Sequence, residues 1–105
     1  MSSIEEEIQK QFDHQLTKKN LREQNQQSLT ISENGGLFKI TPELFSMLSL
    51  FDEESIILED SFGNPILIKN RHDFLYKCKV KYQEVMNNWH VEYEQIKRIR
   101  KPEHL

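Results

Sequence analysis

The sequence predicts an α+β fold, and three stretches carry that prediction. Two apolar runs, each folded about turn residues, read as β-hairpins, and a long tail repeats apolar residues at three- and four-residue intervals, the period of a helix. The 105 residues suit one domain with a single modest core, with 36 % hydrophobic and 30 % charged residues. The apolar residues are clustered rather than spread, which argues against a disordered chain.

Residues 2–24 read as a helix with Ser3 as its N-cap. Glu5, Glu6 and Glu7 follow in the first turn, where the helix dipole favours negative charge. Ile4, Ile8, Phe12 and Leu16 recur every fourth residue and form one narrow stripe among Gln, Lys, Asp and Glu. Such a helix hides little by itself and calls for a partner. Asn25–Ser28 reads as a hinge, so residues 1–28 stand as a helix plus hinge and residues 29–105 as an α+β domain.

"LTISENGGLFKI", residues 29–40, alternates apolar and polar side chains on both sides of Asn34-Gly35, a pair suited to the positive φ angles of a type I′ turn. Thr41, Pro42 and Glu43 then open a short helix in which Leu44, Phe45, Met47, Leu48 and Phe51 wrap most of the circumference. The pattern predicts burial on most sides. "SIILEDSFGNPILI", residues 55–68, reads as a second hairpin turning at Asp60-Ser61-Phe62-Gly63. Pro65 lacks an N–H and so belongs at an edge. Together the hairpins are expected to make a small antiparallel sheet.

Residues 71–101 read as one long helix, capped by Asn70 and stopped by Pro102. Leu75, Cys78, Tyr82, Met86, Trp89, Tyr93 and Ile96 trace its expected seam. At 1.5 Å per residue it would run about 45 Å, longer than a core of this size needs. The far end is therefore expected to project.

The chemistry-bearing residues are sparse. His14, His72, His90 and His104 lie in separate elements, and no spacing suits a zinc site, so no metal or cofactor is expected. Asp52–Glu54 and Glu59-Asp60 read as solvated turn acids. The single cysteine, Cys78, faces an apolar seam that disfavours a reactive thiolate. No glycine-rich phosphate loop exists, and no enzyme activity is expected. The absence of a basic-then-apolar leader and of a membrane-length apolar run points to a protein of the cytoplasm.

Charge is unevenly placed within the net −3. Residues 29–70 hold seven acids and two bases, whereas residues 71–105 hold five acids and eight bases. Lys97, Arg98, Arg100 and Lys101 are candidate contacts for phosphate or an acidic partner. Aromatic rings among bases are also a nucleic-acid pattern. Here the rings share a stripe with Met86 and Ile96, so packing explains them better, and nucleic acid remains the alternative. The favoured expectation is a protein–protein interaction module that forms an oligomer or joins another protein. Its contacts are Ile4, Ile8, Phe12 and Leu16 on one helix and Trp89, Tyr93 and Ile96 on the other.

"FKITPELFSMLSLF", "ILEDSFGNPILI" and "YQEVMNNWHVEYEQIKR" together resemble small tail or baseplate assembly proteins of T4-like and cyanobacterial tailed bacteriophages. The resemblance covers roughly residues 37–101 and rests on general character, without a diagnostic motif. It implies a non-enzymatic structural or chaperone role with a viral protein as partner, in the host cytoplasm or the virion. It assigns no functional residue.

Overall fold

The computed structural model describes residues 2–100, with side chains for residues 4–98. In chain order the elements are α1 (Ser2–Gln27), β1 (Thr30–Glu33), β2 (Gly36–Lys39), α2 (Pro42–Leu50), β3 (Ile56–Glu59), β4 (Pro65–Ile68) and α3 (Arg71–Arg100). This is an α+β protein. The chain divides into two compact units. Residues 28–85 hold both hairpins, α2 and the first half of α3, while α1 groups with the second half of α3, from Met86.

Within the hairpin unit, local chemistry sets each element. Asn34 (φ 48°) and Gly35 (φ 84°) both adopt the left-handed conformation that closes β1 onto β2. Thr41 accepts a hydrogen bond from the Leu44 amide at 3.1 Å, with Pro42 at the first helical position of α2. Asn70 Oδ1 accepts from the Asp73 amide at 2.9 Å and so caps α3. Gly63, at φ 79°, donates to the Asp60 carbonyl and completes the turn between β3 and β4.

The two hairpins stay separate two-stranded sheets, which corrects the expected single sheet. Each strand is only four residues long, and Pro65 presents no amide. They meet instead over a shared core of Phe38, Leu48, Ile56, Leu58, Ile68, Phe74 and Cys78. Phe38 and Phe74 pack edge to face at 5.3 Å, an arrangement favoured by the charge distribution of aromatic rings. Phe45 meets Tyr82 in the same manner at 5.8 Å. Burial at Cys78 pushes its thiol up to about 11, so the sulfur serves as a small apolar filler.

Asp60 is buried and joins the hairpins, where the sequence suggests a solvated acid. Its Oδ1 accepts from the Phe62 and Asn64 amides, while Oδ2 accepts from Leu37 of β2 at 3.1 Å. Ser61 completes the link by donating to the Leu37 carbonyl at 2.7 Å. The Asn64 amide foremost, with those of Leu37 and Phe62, holds this carboxyl below the ordinary aspartate value in spite of its desolvation. A lowered folded value means that Asp60 contributes stability above the unfolded value near 3.9. That contribution disappears as pH falls through the folded value.

Asp60→Asn should therefore lower the melting temperature most near neutral pH, because its amide group would point a donor at the Leu37 N–H. The gap to wild type should close as pH falls below about 4. Melting curves of both chains from pH 7 to pH 2 test this. A gap that stays constant with pH would contradict it.

The inward side of α3 also differs from the expected seam. Arg71, Phe74, Cys78 and Val85 are buried, while Leu75 is half-buried and Tyr82 more exposed. The difference is a small rotation, because the same three-and-four spacing starts at Arg71 rather than Leu75. α2 is less enclosed than expected: Leu48 is fully buried, but Met47 and Leu50 face solvent. α1 continues through the expected hinge to Gln27, and Asn25 is helical and buried. Ser3 falls inside α1 and its side chain lies outside the described residues, as does Pro102.

Candidate partner-binding surface

The unit formed by α1 and the later part of α3 carries the residues marked by the sequence as contacts. On α1, Gln9 donates to Asp13 at 3.0 Å, and the Thr17 hydroxyl donates to the Asp13 carbonyl at 2.8 Å. These local bonds support an exposed helix surface but bury nothing. Burial begins further along, at Leu21 and Asn25. The Asn25 amide group donates to the Leu21 carbonyl at 2.9 Å and to Glu92 on α3 at 3.4 Å.

Helical geometry puts this buried side away from the apolar stripe. Leu21 lies five residues beyond Leu16, and at about 100° per residue that is a rotation of roughly 140° round the axis. The stripe consequently gets no cover: Ile4, Ile8, Phe12 and Leu16 are 68, 63, 60 and 45 % exposed. Four large apolar side chains in a row present roughly 400–500 Å² of apolar surface, within the roughly 300–600 Å² of the largest patch on a typical monomer, a patch that is often functional.

On α3, Trp89 and Ile96 are half-buried, and Tyr93 is 38 % exposed. Trp89 and Tyr93 combine with Leu21 and Met86 to line an open groove of about 320 Å³, bordered by Lys18, Arg22 and His90. Ile96 does not line it. Leu21, Met86, Lys18 and Arg22 were not expected at this surface. The sequence does carry a signal for Leu21, because it breaks the four-residue repeat one position late and so starts a second face.

The remaining candidates are less convergent. His90 Nε2 lies 3.7 Å from Glu94 one turn on, and no group of three metal-binding side chains forms among the described residues. Lys97 and Arg98 are exposed. The Arg100 side chain and all of Lys101 lie outside the described residues. In the hairpin unit a second open groove of about 330 Å³ runs beside Phe38, Leu44, Met47 and Leu58. Among the described residues, no helix is long and apolar enough to cross a membrane.

What this surface offers is apolar contact area with a charged border of Lys18, Arg22 and His90. Comparison with known proteins adds no further constraint: no family model, curated protein or solved structure matches the chain.

Proposed function

We propose that this chain is a non-enzymatic protein–protein interaction module whose contact element is the apolar stripe of α1. The exposure of Ile4, Ile8, Phe12 and Leu16 in a folded chain supports this reading. Covering such a stripe contributes roughly 25 cal/mol per Å² before the cost of ordering two partners is subtracted. The resemblance to phage tail and baseplate assembly proteins suggests a component or chaperone of a virion, with another assembly protein or a second copy as partner.

Site-directed photo-crosslinking in the cell that makes the protein tests the reading. A photoreactive phenylalanine analogue at position 12 should give covalent protein adducts. The same analogue at Lys10, about 160° round the helix from Phe12, should give few. Equal yields from the two positions would sink the proposal.

A further inference from the structure

The charge pattern of α1 narrows the choice of partner. Around the stripe, residues 4–16 carry four acids (Glu5, Glu6, Glu7 and Asp13) against one base, Lys10. The next six residues carry three bases, Lys18, Lys19 and Arg22, and no acid. Two of those bases, Lys18 and Arg22, border the groove floored by Leu21, Met86, Trp89 and Tyr93. One chain therefore holds an exposed apolar stripe with acidic flanks and an apolar groove with a basic rim.

These two surfaces complement each other in polarity and in sign, and a twofold axis lets each copy offer both at once. We infer that the stripe of α1 docks in the Trp89–Tyr93 groove of a second copy, giving a symmetric dimer in which the exchange is reciprocal. This rests on the reading of α1 as a contact element and assigns its occupant. Two stripes of roughly 400–500 Å² each, with the groove surface they cover, bring the contact to the lower edge of the roughly 1,200–2,000 Å² that a specific interface buries. Opposed charges along the edges fix the direction of docking and disfavour a parallel arrangement, which would set acid beside acid.

Charge reversal followed by mixing tests this without touching the apolar core. One variant carries Glu5→Lys and Glu7→Lys; the other carries Lys18→Glu and Arg22→Glu. All four positions are exposed, so the fold should tolerate both changes. In sedimentation equilibrium the wild-type chain should be a dimer. Each variant alone should dissociate about tenfold more readily or worse, and an equimolar mixture should recover a heterodimer close to wild-type affinity. Recovery is the decisive result, because a merely unfolded or weakened helix would not be rescued by its opposite.

A wild-type chain that stays monomeric at every concentration overturns the inference. So does a dimer that both reversals leave unchanged. Either result leaves the broader reading to the crosslinking at position 12, where an adduct to a different protein would support contact without self-association.

Discussion

Arg71→Met should cost the hairpin unit about 3 kcal/mol, lowering its melting temperature by roughly 15 °C. Arg71 is buried, and its guanidinium meets backbone carbonyls: Nη1 donates to Leu48 at 2.7 Å and Nε to Glu53 at 2.8 Å. Leu48 lies in the last turn of α2, whose free carbonyls and negative dipole end favour a cation. Nη2 lies 3.2 Å from Nε2 of His72, and since arginine only donates, that histidine nitrogen accepts. The Arg71 amide meanwhile donates to the Glu54 carbonyl at 2.7 Å.

One side chain thus ties α2, the turn after it and the start of α3 together. Methionine fills comparable space and keeps the backbone bond, but it leaves the Leu48 and Glu53 carbonyls without these donors. Arg71→Lys should lose about half as much, because a single ammonium can serve one of the two positions well. Chemical denaturation of the full chains gives the values. A loss below about 0.5 kcal/mol for the methionine variant would mean that water replaces the guanidinium at no cost.

Local features of the fold were legible because they are settled by near neighbours. Asn34-Gly35, Thr41-Pro42 and Asn70 each act within three or four residues, and each takes the expected conformation or bond. Asp60 and Arg71 were not legible in the same way. Their partners, Leu37 at 23 positions away and Leu48 at the same separation, are brought near only by the packed core. The Phe62 and Asn64 amides are local to Asp60, but acids at turns and bases at helix starts are ordinarily solvated, so the burial of these two and their distant bonds do not show in the sequence.

The surface was legible in part. The four-residue stripe of α1 is visible directly, since its polar surroundings give no other place for Ile4, Ile8, Phe12 and Leu16 to hide. The groove was not, because it combines Leu21 with residues that follow more than sixty positions later, and side-chain spacing within either helix does not show their meeting. The small rotation of the α3 seam has the same origin. Adjacent helical stripes both satisfy a three-and-four spacing, and only the core chooses between them.

Phe12→Asp should weaken association by about a hundredfold or more while leaving the hairpin unit folded. Phe12 sits in the middle of the stripe and is 60 % exposed within its own chain, so its loss removes no internal packing of note. In a covered stripe the same change forfeits the transfer energy of a large ring, on the order of 2–3 kcal/mol, and adds a carboxylate with no partner. It also adds a fifth acid to a segment already rich in them. The single copy should still fold, because within one chain the altered position is on a solvent-facing side of α1.

The most direct measurement is the mass of the species carrying this chain, by light scattering on extracts of the cell that makes it, wild type beside Phe12→Asp. The first should run as an assembly and the second as a single folded copy. Identical masses for the two, with both chains folded, would contradict α1 as the contact element.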